Sequence, residues 1–409
     1  MNLKITAPDK LTARVKLPPS KSISNRMLVL RHLSGNLIEV SNVSDCDDTF
    51  VMQRALAQPS EVTDIMAAGT SMRFLTAMFA CSNHTTIMTG TERMQHRPIH
   101  VLVDALRSLG ADIAYTGEEG FPPLKVMGRQ LKGGSISLPG NVSSQYISAL
   151  LMVAPTMEQG LTLHITGQVI SRPYIDITLS LMRQFGIQID EPDDHTLIVK
   201  HGNYQGGSYL IENDWSGASY WYEMLALAPE GEVLLEGLFA NSLQGDSCIS
   251  RLFEPLGIKT TFTPEGALLT KQNTTLSRYE ADLTTCPDLA QTMVATCCAM
   301  GVPFRFSGLQ SLKIKETDRL LALRQELAKL GFQLQESDSS TLSWDGQRAN
   351  QTAEPPQIDT YEDHRMAMCM APCCAIASGL IIRNSQVVSK SYPAFWQDLA
   401  AAGFTVEQA

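Results

Sequence analysis

Apolar residues at helical spacing run down this chain in stretches that close on one signature, an apolar residue, a glycine and another apolar residue. The closing glycines are Gly110 (LRSLGADI), Gly186 (LMRQFGIQI), Gly257 (FEPLGIKT), Gly331 (LAKLGFQL) and Gly403 (LAAAGFTV), at successive spacings of 76, 71, 74 and 72 residues. A glycine just past the last turn supplies the left-handed cap, and the apolar residue after it opens a strand. A second series lies about half a period away, where a polar or small-residue turn opens an apolar helical run. Its members are GTSMR at Gly69, SSQY at Ser143, SGAS at Ser216, PDLA at Pro287 and DHRM at Asp363, with SKSIS at Ser20 opening the same kind of run. Alternating stretches LTLHITG, GEVLLEG, PFRFSG and LIIRN read as strands. The pattern predicts an α/β protein of six units, each with two helices and several short strands. A period of this length exceeds the roughly 20–50 residues of stacked repeat arrays, so two globular domains of three units each are expected.

Met366 to Ile382 carries no charge for 17 residues, the lower limit of about 17 for a membrane span. Pro372, Ser378 and Gly379 interrupt it and it is rich in Ala and Cys, which predicts a buried helix followed by a buried strand.

Composition narrows the class. At about 100–200 residues per domain, 409 residues predict two to three domains. The 44% hydrophobic and 18% charged content fits a compact fold. A net charge of −10 argues against nucleic acid as a partner, which needs a basic surface. It leaves small anionic ligands open, since those need only a few converging cations. The nine cysteines include no CxxC pair and lie in apolar runs such as Cys297-Cys298, as small core residues of a reduced protein do. His96 and His100 have helical metal-ligand spacing, but Pro98 separates them. No metal site is expected. The N-terminal MNLKITAPDKLTARV lacks the apolar core of a signal peptide, so a cytoplasmic location is expected.

Candidate chemistry sits at the two kinds of helix start. LPPSKSISNR (17–26) places small hydroxyl residues, Lys21 and Arg26 at a helix N-terminus, an arrangement that suits an anion as well as it suits a plain cap. Gly69-Thr70-Ser71-Met72-Arg73 and Ser143-Ser144-Gln145 repeat it, with glycine admitting a ligand to the backbone. Loops before the second helices hold Arg93, Arg97, Arg172, Lys313, Lys315 and Lys390. Any one of these reads by default as solvated surface charge; their recurrence at one address favours a shared role, with arginine the bidentate partner for carboxylate and phosphate. Lys315-Glu316-Thr317-Asp318-Arg319 is expected to start a helix with the buried stripe Leu320, Leu323, Leu327 and Leu330. Glu316 and Arg319, three apart, can then share a face. A carboxylate among cations stays ionised and can exchange protons. Glu316 and Asp288 are the candidates, or else ordinary helix-start acids. Asp363-His364-Arg365 completes the set.

LPPSKSISNR, GTSMRF, ERMQHRP, GNVSSQY, SRPYIDIT, PDLAQT, KETDR, YEDHRMAM and SKSYP resemble, in this order, the motifs of the 5-enolpyruvylshikimate-3-phosphate synthase family, from about residue 17 to residue 395. The resemblance implies two inside-out α/β domains, each of three βαβαββ units. Residues 1–20 with 213–409 would form one domain and residues 21–212 the inserted one. It implies transfer of the enolpyruvyl group of phosphoenolpyruvate to the 5-hydroxyl of shikimate 3-phosphate, on the route to chorismate and the aromatic amino acids. Lys21, Ser22, Arg26, Ser143, Ser144, Gln145, Ser171, Tyr174, Asp288, Ser311 and Lys315 would hold shikimate 3-phosphate. Lys21, Gly69, Arg97, Gln145, Arg319, Arg365 and Lys390 would hold phosphoenolpyruvate. Asp288 would be the base, Glu316 the proton donor and Lys21 a further catalytic group. No metal or organic cofactor, membrane or nucleic acid is implied, and a monomer that closes on its substrates is expected. The chain departs from the usual family pattern at Pro19, Ala67, Phe74, Ser311 and Glu362.

Two rivals remain. A sister enolpyruvyl transferase acts on a UDP-amino sugar in cell-wall synthesis and carries a Cys on a mobile loop; KSISNR and KETDR favour shikimate, and ERMQHRP holds no Cys. A non-catalytic binding protein of the same fold is disfavoured by the joint presence of Lys21, Asp288, Glu316 and Arg319.

Overall fold

The computed structural model describes residues 1–350 and 355–409. The chain forms two compact units, one of residues 1–18 with 212–409 and one of residues 19–211. Each has its own hydrophobic core.

In the contiguous unit, three helices are the core: Lys21–Leu33, Gly69–Ala80 and Ser144–Val153. All residues of Gly69–Ala80 are buried. A helix apolar all round has to lie inside a protein rather than on its face, so the sheets form the outside. Leu161–Thr166, in the sheet Gly134–Pro139, Leu161–Thr166, Thr196–Val199 and Ile189–Asp193, buries alternate residues accordingly. The first two strands of that sheet are parallel and the rest antiparallel. Val62–Asp64, Thr85–Thr89, Leu124–Met127 and Asp112–Tyr115 repeat the pattern. Ile38–Ser41 pairs in parallel with Gly207–Leu210.

The discontinuous unit is built the same way around Trp215–Leu227, Ala290–Met300 and His364–Met370. Its sheets again pair one parallel strand with an antiparallel pair: Leu11–Lys16 on Gly231–Glu236, Tyr279–Asp282 on Phe304–Ser307, and Gln357–Ile358 on Leu380–Ile382. The strand Leu3–Thr6 lies between Leu380–Ile382 and Thr405–Gln408. Truncating a fully buried residue of these helices, such as Leu225, should cost about 2–5 kcal/mol. The α/β units read from the spacing are observed, in the inside-out arrangement that the family resemblance implies.

All five closing glycines follow a helix with φ between +84° and +103°, a region costly for a residue with a Cβ. The uncharged stretch from Met366 is the helix His364–Met370, a 3₁₀ segment Ala371–Ile376 and the strand Leu380–Ile382. Among the described residues, no helix is long and apolar enough to cross a membrane.

Both places where the chain leaves this unit are tied down inside it. Glu212, 4% exposed, accepts hydrogen bonds from Trp215 Nε1 (2.8 Å), Phe239 N (2.8 Å), Ser242 Oγ (2.5 Å) and Gln244 Nε2 (2.9 Å). The Asp214 N–H donates to the Pro18 carbonyl at 2.9 Å.

Candidate active site

In the contiguous unit the candidate residues stand at the N-terminal ends of the three buried helices, where unpaired backbone N–H groups favour anions. Lys21 opens Lys21–Leu33, and its Nζ lies 3.3 Å from Oδ2 of the buried Asp48. Arg26, one turn on, is 2% exposed. It donates to Ser22 O (2.8 Å), Thr178 Oγ1 (2.7 Å), Ser148 Oγ (3.2 Å) and Tyr174 O (2.9 Å). It also lies 5.3 Å from the Phe74 ring centroid, a cation–π contact. Burial lowers its pKa to about 10, still charged at neutral pH. Of its five N–H donors, one on Nη1 is left over by these bonds. Arg26 thus mainly braces Ser22 and Tyr174.

Gly69 opens the second helix. A Cβ there would fall 2.6 Å from Nη1 of both Arg73 and Arg97, and Arg73 donates to the Gly69 carbonyl at 2.8 Å. Glycine is what lets two guanidinium groups crowd this backbone. At the third helix the Ser143 hydroxyl caps the Gln145 N–H at 3.4 Å, Ser144 is buried, and Gln145 Nε2 donates to Thr70 Oγ1 at 3.0 Å. Ser171, 6% exposed, precedes the helix Arg172–Gln184 with φ +56°. Such backbone in a non-glycine residue is uncommon and collects at functional positions.

The discontinuous unit gathers a denser charge cluster. Arg319, 1% exposed, donates to three carboxylates: Asp288 Oδ1 (3.0 Å), Glu316 Oε2 (3.0 Å) and Asp363 Oδ2 (2.7 Å). Asp288 also meets Arg365 Nη2 at 3.0 Å and Lys315 Nζ at 3.6 Å. Glu316 meets Lys390 Nζ at 3.3 Å. Burial alone would raise the Asp288 pKa; Arg365, Lys315 and Arg319 outweigh it and hold the carboxyl well below its usual range. Burial likewise opposes the charge of Arg319, and Asp363, Glu316 and Asp288 overcome it, raising its pKa. Asp288 and Arg319 therefore carry their opposite charges at neutral pH.

The local fold explains the placement, with one correction. Helix starts bring Asp288 and Arg365 together: Asp288 lies in the 3₁₀ turn Pro287–Leu289 before Ala290–Met300, and Arg365 in the first turn of His364–Met370. The KETDR helix begins at Arg319, not Lys315, because the Asp318 side chain caps it by accepting from Leu321 N at 3.1 Å. Lys315 to Thr317 precede the helix, and Glu316 folds back onto Arg319 from there. The stripe Leu320, Leu323, Leu327 and Leu330 is buried as expected.

Whole-chain comparisons place the chain in a family. The sequence matches the family described as EPSP synthase (3-phosphoshikimate 1-carboxyvinyltransferase) over residues 5–59 and 52–399. A 3-phosphoshikimate 1-carboxyvinyltransferase of Bacteroides fragilis (strain YCH46) is 51% identical over 407 residues, covering 100% of this chain and 99% of the relative. The chain belongs to the EPSP synthase family. A member from Photobacterium damsela subsp. piscicida is 35% identical over 95% of this chain and 96% of its own. A solved EPSP synthase from Acinetobacter baumannii shares the fold, with a TM-score of 0.79 at 20% identity and full coverage of both chains.

Against the EPSP synthase motifs, Asp288, Lys315, Glu316, Arg319, Arg365 and Lys390 form one contact network, while Ser311 stands half-buried in the 3₁₀ turn Gln310–Ile314. Lys21, Ser22, Arg26, Gly69, Arg97, Ser143, Ser144, Gln145, Ser171 and Tyr174 lie in the other unit, at the helix starts and the loops before them. Two cations of the shared address go elsewhere. Arg172 pairs with Asp176 (2.7 Å) and Glu191 (2.6 Å), and Lys313 with Glu336 (2.6 Å). Asp48 and Asp246 escaped the sequence reading. Asp363 was visible as a helix-start acid, but nothing local marked it as the partner of Arg319. Of the departures from the family pattern, Phe74 supplies the ring beneath Arg26, and Glu362 takes φ +55° before the Asp363 cap.

Proposed function

We propose that this chain is the enolpyruvyl transferase that joins phosphoenolpyruvate to shikimate 3-phosphate and releases phosphate. The observation that carries the reading is the Arg319 cluster, where Asp288 and Glu316, two carboxylates suited to proton transfer, share one buried arginine beside further cations suited to substrate anions. The 5-hydroxyl attacks the central carbon of phosphoenolpyruvate while its methylene gains a proton, and the tetrahedral intermediate then loses phosphate from that carbon and a proton from the methyl group, which restores the double bond. Asp288 takes the hydroxyl proton and Glu316 delivers one to the methylene, each contribution being roughly 10²–10⁴ in rate. Lys21 neutralises charge that develops on phosphoenolpyruvate as the bond forms.

The charge pattern gives Asp288 a reason to act only when loaded. Arg365, Lys315 and Arg319 are the groups that hold its pKa down, and they are also the groups assigned to substrate anions. When those anions draw the cations off, Asp288 loses part of their stabilisation and becomes a stronger base. In the contiguous unit, Gly69 and Arg97 serve phosphoenolpyruvate. Ser22, Arg26, Ser143, Ser144, Ser171 and Tyr174 serve shikimate 3-phosphate, and Gln145 serves both. The reading takes the protein to be a cytoplasmic monomer without metal or organic cofactor. A coupled assay of phosphate release, with shikimate 3-phosphate set against a UDP-amino sugar, tests it. Release with the sugar alone would move the chain to the sister activity.

A further inference from the structure

Asp246 lies in the 3₁₀ turn Gly245–Cys248 of the discontinuous unit and is 4% exposed. Its Oδ2 accepts from the Ser216 hydroxyl. Its Oδ1 is buried with no hydrogen-bond partner among the described residues. A buried carboxylate with one bond is costly, and nothing in the turn itself requires an acid. The charged groups around it are Asp288, Arg365 and Asp214; burial and then Asp288 push its carboxyl up to about 6, so it is mostly an acceptor above neutral pH. Ser216, in the first turn of Trp215–Leu227, places Oγ 3.4 Å from Arg365 Nη2, and the same nitrogen donates to Asp288 Oδ2 at 3.0 Å.

A serine hydroxyl owns one hydrogen. Given to Asp246, it leaves the oxygen lone pairs turned toward Arg365. We propose that Asp246 is a positioning residue: by accepting from Ser216 it fixes the polarity of that hydroxyl, which steadies Arg365 in the orientation that receives phosphoenolpyruvate. Without the acceptor, the hydroxyl is free to rotate its hydrogen toward the guanidinium, and like polarity then pushes Arg365 off its place. The inference rests on the assignment of Arg365 to phosphoenolpyruvate.

Steady-state phosphate release at pH 8 tests it with full-length wild type, Asp246→Ala, Asp246→Asn and Ser216→Ala. Asp246→Ala should raise KM for phosphoenolpyruvate by about tenfold or more, the scale of a hydrogen bond to a charged group, with kcat and KM for shikimate 3-phosphate within about threefold. Asp246→Asn keeps a carbonyl oxygen for Ser216 and should recover most of the loss, which a purely structural acid would not predict. Ser216→Ala should reproduce the KM rise and decides the matter if Asp246→Ala does not fold. An unchanged KM in Asp246→Ala or Ser216→Ala, or an Asn variant no better than Ala, overturns the role. If the active wild type and its variants behave alike, only Asp246 loses its assignment. A wild type inactive on both substrates overturns the functional reading and this role with it.

Discussion

Glu223 is fully buried on the central helix Trp215–Leu227, and neither carboxyl oxygen has a hydrogen-bond partner among the described residues. Its charge would be felt by the buried thiols of Cys297, Cys298, Cys369 and Cys373, which offer it no cation. Burial pushes its pKa well above the usual value, so the folded protein keeps this proton. The unfolded chain releases it near the ordinary Glu value of about 4.3. The folded state therefore binds more protons, and stability falls as pH rises above that value, by about 1.4 kcal/mol per pH unit while the proton is retained. Glu223→Gln preserves the shape and leaves an equally unpaired amide, but cannot ionise. Above pH 6 the variant should gain on the wild type by about 1.4 kcal/mol for each pH unit over which the fold keeps the Glu223 proton. Thiol titration is common to both proteins and cancels. Urea unfolding followed by tryptophan fluorescence is the assay, because Trp215, Trp221, Trp344 and Trp396 all lie in the discontinuous unit. Curves of stability against pH that run parallel would mean that Glu223 is ionised in the fold, and would refute the reasoning.

Glu316→Gln should lower kcat by roughly 10²–10⁴, the worth of one general acid, with little change in KM for shikimate 3-phosphate; near-normal turnover would remove its role. Gly69→Ala places a methyl 2.6 Å from Nη1 of Arg73 and Arg97. Those side-chain ends can swing aside, so the fold should hold while KM for phosphoenolpyruvate rises about tenfold, as for a displaced charged contact; an unchanged KM would take Gly69 and Arg97 out of that subsite. Asp363→Asn removes a fully buried carboxylate from Arg319 and should destabilise the discontinuous unit by about 3–5 kcal/mol, read by the same fluorescence assay. A change below about 1 kcal/mol, the size of an exposed pair, would contradict the pairing.

Backbone requirements were the most legible part of this protein. A residue that must take φ near +90° is written as glycine, so Gly110, Gly186, Gly257, Gly331 and Gly403 announce where helices stop. The recurring helix starts and stops made the six α/β units legible, while their inside-out arrangement followed only from the resemblance to the family. Cations at loop addresses were legible as candidates, but their partners were not. Arg319 and Asp363 are 44 positions apart, and Gln145 and Thr70 are 75 apart. Such pairings are set by how the helix starts converge, which no local pattern encodes. The same ignorance grouped Arg172 with Arg97, although Arg172 is spent on Asp176 and Glu191.

The insertion of one unit into the other orders events on the ribosome. Residues 19–211 can fold as soon as they emerge, since every strand of their sheets is present by then. The other unit has to wait, because Leu3–Thr6 lies between Leu380–Ile382 and Thr405–Gln408. At about 5–20 residues per second, the remaining chain takes roughly 10–40 s to appear. For that interval the first eighteen residues are an unpaired strand donor with its apolar face uncovered. A chaperone that shields Leu3, Ile5 and Leu11 would act before the enzyme exists, and a chain cut short near residue 400 would leave the contiguous unit finished and the discontinuous one without the strand Thr405–Gln408 that pairs with Leu3–Thr6.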